Sequence, residues 1–179
     1  AIYQAWAQKL IDMGRAYADD TSPETIDKYR NLCYNEKRPY LYRDFRPENP
    51  PEWHEGIPLR FKSDPKIRKW HDEVMGDMEA GPEVQDDIIL LKADGLPTYN
   101  FAHIVDDAEM GVTHVMRGVE YLSSTPNYLA IYEALGLEVP KLVSLPHILA
   151  PTGGKKLGKR DGAKSVTEYR DDGILPEAL

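Results

Sequence analysis

The chain begins with apolar residues at helical spacing and changes, past its middle, to short apolar runs separated by polar turns. Over residues 2–13 the spacing predicts an amphipathic helix that ends at Gly14. Its apolar positions are Ile2, Trp6, Leu10 and Met13. Ser22, followed by proline and glutamate, is a typical helix cap and predicts a second helix that extends to about residue 36.

The middle of the chain has no long periodic segment. Residues 38–51 are rich in proline and arginine and poor in aliphatic side chains, which predicts an extended, irregular stretch. Residues 59–62 alternate between apolar and basic side chains and predict a strand. Residues 63–85 are polar and are interrupted by glycines, so we expect a hairpin or two short strands there.

Strands and helices alternate from residue 88 onward. The predicted order is a strand at 88–91, a helix at 99–107, a strand at 113–117, a helix at 124–136, a strand near 147–149 and a last helix at 166–170. Such alternation argues for a parallel sheet with crossover helices. We therefore predict an α/β fold in which residues 88–179 form half of a doubly wound, Rossmann-like parallel sheet. Residues 1–87 lack the alternation and are expected to form an inserted α+β subdomain.

Composition narrows the class of protein. Of the 179 residues, 41% are hydrophobic and 29% are charged, as in soluble globular domains. The net charge of −8 implies that any contact with nucleic acid is local, because broad nucleic-acid surfaces are basic. The single cysteine, Cys33, excludes a disulfide framework and a multi-cysteine metal site, so we expect no zinc and a reduced, cytoplasmic setting. No apolar run approaches the length of a membrane span, and we expect no membrane partner.

A basic loop that contains glycine is the strongest chemical signal in the chain. Residues 155–160 include four lysine or arginine side chains and follow the segment 151–154 (PTGG). These side chains are charge-assisted donors to phosphate oxygens, and glycine lets the backbone approach closely. The loop follows one predicted strand, while Arg117 and Glu120 end another, and ligands of parallel sheets bind at such ends. The pattern favours a triphosphate or pyrophosphate site over the alternative of a solvated basic loop.

Several segments, in order, resemble the catalytic domain of bacterial-type glutamyl-tRNA synthetase. They are 94–102 (DGLPTYNFA), 105–107 (VDD), 110–118 (MGVTHVMRG), 122–126 (LSSTP) and 156–163 (KLGKRDGA). From about residue 87 to 179 the matching segments follow one another at even spacing. The resemblance is weaker from there back to residue 1, and for that part it implies a subdomain that binds the acceptor end of tRNA(Glu). It implies the second half of a class I catalytic domain, which joins glutamate to tRNA through a glutamyl-adenylate and uses ATP with its associated Mg²⁺.

The resemblance also implies roles for individual residues. It places the catalytic lysines of the class I signature loop at Lys156 and Lys159, where they neutralise the departing pyrophosphate. Contacts with glutamate are implied for Tyr99, His103 and Arg117, the last because guanidinium offers a carboxylate two parallel donors. Contacts with ATP are implied for Glu120, Tyr121, Ile148, Lys156, Lys159 and Arg160. Gly158 stands where the family usually has serine, so the loop keeps its charge but loses a hydroxyl.

Three of these residues also have a structural interpretation. Arg117 could form an internal salt bridge with Asp106 or Glu120. Tyr99 could be a core aromatic residue, and His103, at a position where the family varies, could be a core histidine. A basic and aromatic cluster in residues 38–46 could contact the acceptor end of tRNA or pack against acidic residues. Its members are Arg38, Tyr40, Tyr42, Arg43 and Arg46.

Two wider alternatives remain for the function. A glutaminyl-tRNA synthetase or the short, tRNA-modifying glutamyl-Q paralogue would share the architecture, although residues 159–163 favour the glutamyl enzyme. A non-catalytic module that binds tRNA or phosphate would keep the fold without the reaction. The His-Ile-Gly-His signature of class I enzymes does not occur in the sequence, which begins with alanine. We therefore expect an interior piece of a longer protein that is inactive in aminoacylation by itself.

Overall fold

A computed structural model describes residues 2–149, 154, 156–158 and 164–178. Its helices are α1 (Ile2–Asp12), α2 (Pro23–Asn35), α3 (Tyr99–Met110), α4 (Thr125–Leu135) and α5 (Val166–Asp171). Its strands are β1 (Ala16–Ala18), β2 (Leu59–Phe61), β3 (Arg68–Asp72), β4 (Gly76–Ala80), β5 (Ile89–Leu91), β6 (His114–Gly118) and β7 (Lys141–Leu145). The predicted helices are therefore all found, with ends that differ by a few residues.

The larger sheet contains the predicted parallel strands. Its order is β4-β3-β7-β6, and β7 is parallel both to β6 and to β3. Helix α4 makes the crossover between β6 and β7, as predicted. The polar stretch of residues 63–85 forms the expected hairpin, because β3 and β4 pair in antiparallel register from Arg68↔Ala80 to Asp72↔Gly76. The mixed α/β fold class is confirmed.

Two predicted strands are placed differently from the expectation. Strand β5 pairs with β2 in a separate antiparallel sheet of order β1-β2-β5, so it is not part of the parallel sheet. The prediction of a strand near residues 147–149 is wrong, because the strand of the sheet is β7, which ends at Leu145. Pro146 follows it and lacks the N–H that would continue a ladder. Strand β1 was missed because three residues carry no readable period.

The predicted domain boundary at residue 88 stays a prediction. Two strand pairings join residues on either side of it. Strand β5 pairs with β2, and the β3–β4 hairpin joins β7. The fully buried Asp72 strengthens the second junction, because its Oδ1 accepts hydrogen bonds from the backbone amides of Val74, Met75 and Ser144. Burial opposes the charged form of Asp72, but these bonds hold the pKa of its carboxyl below the ordinary value.

One hydrophobic core lies between the smaller sheet and helices α1, α3 and α4. Its buried members are Ala7, Leu10, Ala16, Leu59, Phe61, Leu90, Leu91, Phe101, Ile104, Val105, Tyr128, Ala130, Ile131 and Tyr132. Helix α4 is buried on almost all sides, because it also packs its Thr125, Leu129 and Tyr132 side chains against β6 and β7. The helix therefore connects the core to the strand ends where the predicted site residues lie.

A buried polar network holds residues 42–46 against the smaller sheet. The Asp87 carboxylate accepts two hydrogen bonds from Arg46, at 2.5 and 2.7 Å, and others from Ser63 and Tyr17. Burial raises the pKa of Asp87, but the bonds from Arg46 and Ser63 outweigh that effect and lower it overall.

The basic cluster of residues 38–46 is engaged with acceptors inside the protein. Arg43 donates to the carbonyl oxygens of Pro82 and Gln85, and Arg46 donates to Asp87. Arg38 pairs with Glu36 and Asp44. These contacts favour the interpretation that the arginines pack against acidic and carbonyl groups.

Helix α4 ends at Gly136 because that residue adopts a left-handed conformation, with φ of +65°. Nothing lies within 4 Å of a Cβ built there, so a larger residue would meet backbone strain and no clash. We expect Gly136→Ala to reduce the free energy of unfolding by about 1 kcal/mol, measured by urea denaturation. Gly136→Asn is the matched control, because asparagine tolerates this conformation, and it should cost clearly less. An equal loss of unfolding free energy in both variants would contradict the conclusion that the left-handed conformation of Gly136 causes the effect.

An ion-pair triad joins the β3–β4 hairpin to α4. Glu133 accepts from Lys66 and, at 2.6 Å, from the buried Arg68, and these two partners lower its pKa to about 2. A carboxyl whose pKa is lower in the folded state stabilises the fold above its ordinary pKa and stops doing so as the pH falls through the folded value. We expect stability to fall between about pH 4.5 and 2, by roughly 1 kcal/mol because Glu133 is half exposed. Glu133→Gln should remove this loss of stability from the acid denaturation curve. A curve that is unchanged in the variant would contradict the prediction.

Candidate active site

Arg117 lies near the carboxyl end of β6, opposite Ser144 of β7. Its guanidinium stacks over the rings of Tyr128, at 4.8 Å, and Tyr121, at 5.4 Å. Its Nη2 donates a long bond of 3.4 Å to the Thr125 hydroxyl. Its Nη1 is buried and has no hydrogen-bond partner within the described part of the chain. The side chain is thus held by aromatic packing and retains a donor for another group.

No carboxylate among the described residues pairs with Arg117, so the alternative of an internal salt bridge is not found. Asp106 accepts instead from the Tyr3 hydroxyl, and Glu120 pairs with Lys156. A buried guanidinium donor that lacks a partner is costly unless a ligand completes it. A planar carboxylate is the group that guanidinium binds best.

Tyr99 and His103 lie one turn apart on α3 and face the same region. Their rings stack at 5.2 Å with an angle of 11°. The ring of Tyr99 is also tilted against that of Tyr121 at 5.6 Å. The side chain of Tyr99 is 55% exposed, so it is not a core aromatic residue. His103 is half-buried and contacts Tyr128 edge-on, with ring centroids 4.5 Å apart. The four rings therefore form a connected aromatic cluster, in which Tyr121 and Tyr128 also contact Arg117.

Glu120 follows β6 on a short 3-10 helix and is in contact with the lysine loop. The Nζ of Lys156 donates to its Oε1 at 3.1 Å, and the Nδ1 of His147 lies 3.7 Å from its Oε2. The backbone amide of Glu120 and the Lys156 ammonium hold the pKa of this carboxyl below its ordinary value. Lys156 of the loop thus lies beside the end of β6, where the sequence predicted that two strand ends would meet.

The backbone of the loop is attached to the segment after β7. Ile148 accepts a hydrogen bond from the amide of Leu157 at 2.8 Å, and Leu149 forms an antiparallel bridge with Lys156. The side chain of Ile148 is 75% exposed. Lys159 and Arg160, which were also predicted to bind ATP, lie outside the described residues.

The structure brings the described candidates into two adjoining groups. The first consists of Arg117, Tyr99, His103 and Tyr121, and the second of Glu120, Lys156 and Ile148. Tyr121 was predicted on the nucleotide side, and its described ring contacts are with Arg117 and Tyr99. Sequence reasoning missed Thr125, Tyr128 and His147. The run Ser-Thr-Pro marked a helix start there, but nothing in it indicated that the first turn of α4 would face Arg117.

The described residues contain no group of three or more His, Cys, Asp and Glu side chains placed to hold a metal ion. Cys33 is buried and free. Within the same ranges, no helix is both long and apolar enough to cross a membrane.

In α/β proteins, ligands bind beyond the carboxyl ends of parallel strands, and the ends of β6 and β7 here carry Arg117 and the Glu120–Lys156 pair. The chain belongs to the family described as class I tRNA synthetases (E and Q), catalytic domain, which it matches over residues 1–179. It is 41% identical over 190 residues to glutamate–tRNA ligase 2 of Thermoanaerobacter pseudethanolicus, covering 99% of this chain and 38% of that protein. It is also 41% identical over 187 residues to the glutamate–tRNA ligase of Coprothermobacter proteolyticus, covering 99% of this chain and 40% of that one.

Solved structures agree with these sequence relatives. The crystal structure of a glutamate tRNA ligase from Elizabethkingia meningosepticum, in complex with its amino acid, superposes with a TM-score of 0.78 at 32% identity. The match covers 90% of this chain and 35% of that one. The chain thus spans little more than a third of the length of the relatives that it matches.

Proposed function

We propose that the protein of which this chain forms part joins glutamate to tRNA(Glu) in two steps. In the first, a carboxylate oxygen of glutamate attacks the α-phosphorus of ATP, and the bond to the leaving pyrophosphate breaks. In the second, a terminal ribose hydroxyl of tRNA attacks the glutamyl carbonyl, and AMP leaves. Membership of the class I E and Q family carries this proposal, and the glutamate–tRNA ligases among its relatives support it.

Arg117 is proposed to hold a carboxylate of glutamate. Its buried Nη1 lacks a partner among the described residues, and the stacked rings of Tyr121 and Tyr128 fix the plane of the guanidinium. A guanidinium that is already oriented loses little entropy when a ligand binds. Tyr99 is proposed to cover the same ligand, since its exposed ring lies between His103 and Tyr121.

The lysine loop is proposed to bind the polyphosphate of ATP. Lys156 would exchange its contact with Glu120 for the phosphates, and Lys159 and Arg160 would act with it. The chemistry requires charge neutralisation on the departing pyrophosphate, to which substrate-bound Mg²⁺ contributes as well. Glu120 would then accept from a ribose hydroxyl, and Tyr121 and the backbone at Ile148 are proposed to contact the adenine.

The remaining expectations become proposals of the same kind. Residues 1–87 are proposed to form the subdomain that binds the acceptor end of tRNA(Glu), and the whole protein is proposed to act in the cytoplasm. The glutaminyl and non-catalytic alternatives are not favoured, because the sequence relatives described above are named glutamate–tRNA ligases.

The test is pyrophosphate exchange with the full-length protein. We expect radioactive pyrophosphate to enter ATP only when glutamate, Mg²⁺ and tRNA(Glu) are present, and we expect the same protein to acylate that tRNA. Glutamine in place of glutamate is the specificity control. Exchange that depends on glutamine alone, or no exchange with either amino acid, would contradict the proposal.

A further inference from the structure

His103 is held in one orientation and one tautomer. Its Nδ1 lies 3.0 Å from the backbone carbonyl oxygen of Tyr99, one turn earlier on α3. Because a carbonyl oxygen can only accept, Nδ1 carries a hydrogen. In the neutral ring, Nε2 is therefore an acceptor with no hydrogen of its own. The described residues provide no hydrogen-bond partner for Nε2, and the rings of Tyr99 and Tyr128 hold the imidazole on two sides.

His103 shares the lining of a narrow cleft with Arg117. The cleft lies between β6 and α4, and both side chains contact the Tyr128 ring that forms one of its walls. The groups that face His103 come from every element packed around it. They are Tyr99, Asp106 and Asp107 of its own helix, Arg117 of β6, and Tyr128 and Tyr132 of α4.

These surroundings favour the neutral ring when no ligand is bound. Burial lowers the pKa of His103 and so does the positive charge of Arg117, against the raising effects of the Tyr99 carbonyl, Asp107 and Asp106. Tyr132 donates to one of these carboxylates, Asp107, at 3.3 Å. A ligand carboxylate beside Arg117 would reverse the balance, because the described residues that line the cleft itself include no carboxylate.

The two possible ligand side chains make opposite demands on a ring of this tautomer. An amide such as that of glutamine can donate its NH₂ to the neutral Nε2. A carboxylate such as that of glutamate can only accept, so it repels the Nε2 lone pair. The carboxylate becomes a good partner once a proton from solvent adds to Nε2, which then donates a charge-assisted bond.

We propose that His103 takes up a proton when glutamate binds and thereby favours a carboxylate over an amide. The proposal rests on the function proposed above and adds a specificity-determining residue to it. It follows that selection of glutamate over glutamine weakens as the pH rises through the pKa of His103 in the glutamate complex. Above that value, the affinity for glutamate should fall by up to about tenfold per pH unit, while the affinity for glutamine should not fall, because the neutral ring accepts from its amide.

Calorimetry on the full-length protein tests the proposal without any substitution. L-Glutamate is titrated at one pH near neutrality in two buffers of different ionisation enthalpy, and the difference in heat gives the protons taken up. We expect uptake of up to about one proton per glutamate and none for L-glutamine. Glutamate binding without proton uptake across pH 6 to 8 would overturn the proposal.

Two variants assign the proton to His103. His103→Gln should abolish the uptake and flatten the pH dependence of the glutamate-to-glutamine affinity ratio. His71→Gln is the matched control, because His71 is an exposed histidine on the β3–β4 hairpin that pairs with Asp77, and it should leave both quantities unchanged. The same uptake in His103→Gln as in the wild type would also overturn the proposal. Failure of the proposed function is distinct, since it would appear as no glutamate-dependent exchange in the wild type.

Discussion

Replacement of Arg117 by methionine is expected to lower kcat/KM for glutamate by about 10²- to 10³-fold in the full-length protein. Truncation of one partner of a desolvated charge pair costs several kcal/mol, and methionine keeps the length of the side chain while removing every donor. The kcat/KM of Arg117→Lys should lie between those of the wild type and Arg117→Met, because an ammonium keeps the charge but not the paired donors. The measurement is glutamate-dependent pyrophosphate exchange at saturating ATP, with the KM for ATP expected to change little.

The stability of the same variant separates a binding role from a structural one. Nη1 of Arg117 is buried without a partner among the described residues, and no carboxylate there pairs with the side chain. Its removal relieves a desolvated donor, so we expect the melting temperature not to fall. Arg15→Met is the control, because the Arg15 guanidinium packs over Phe61 away from the site. A large loss of stability in Arg117→Met with unchanged exchange kinetics would show that Arg117 is a structural residue.

Replacement of Lys156 by alanine is expected to slow adenylate formation by about 10²- to 10³-fold, which is the usual effect of losing one donor that stabilises developing charge. The effect should fall on kcat of exchange, since the lysine is proposed to meet the pyrophosphate as it leaves. The KM for glutamate should change little, because Lys156 belongs to the group around Glu120 and not to that around Arg117.

The control for Lys156 is a lysine in a comparable surface ion pair. Lys69 donates to Glu79 at 2.9 Å on the outer face of the hairpin and is exposed. Both Lys69→Ala and Lys156→Ala should leave stability nearly unchanged, because such pairs contribute little. Only Lys156→Ala should affect the exchange rate. Equal exchange rates for the two variants would support the alternative that this chain is a non-catalytic module.

Local signals predicted the helices well because their causes lie within a few residues of each other. Helix α4 ends at a left-handed glycine, and α2 begins at Ser22, whose hydroxyl accepts a bond from the Thr25 amide. The glycine-punctuated polar stretch became the β3–β4 hairpin for the same reason. The partner of a strand is not local information. Strand β5 has the apolar pattern expected of a parallel sheet, and it pairs with β2 in antiparallel register instead.

The candidate site shows the same division. Resemblance in the sequence singled out Arg117, Tyr99, Glu120 and Lys156, and the structure placed these residues in two adjoining groups. It could not reveal that the Nη1 of Arg117 is left without a partner in the described structure, or that His103 is fixed to the Tyr99 carbonyl. The aromatic neighbour that links them, Tyr128, comes from another helix and carries no motif.

By itself, the sequence determined the helical segments, the α/β class, the family and the residue types available for binding a carboxylate and a polyphosphate. Those properties depend on short-range periodicity, helix caps and the chemistry of single side chains. Only the tertiary structure decided which arginines have their donors satisfied internally, as Arg43 and Arg46 do. It also decided that Arg117 keeps a donor without a partner among the described residues. Hydrogen-bond satisfaction depends on groups far apart in the chain, and burial is defined only once the strands and helices have packed.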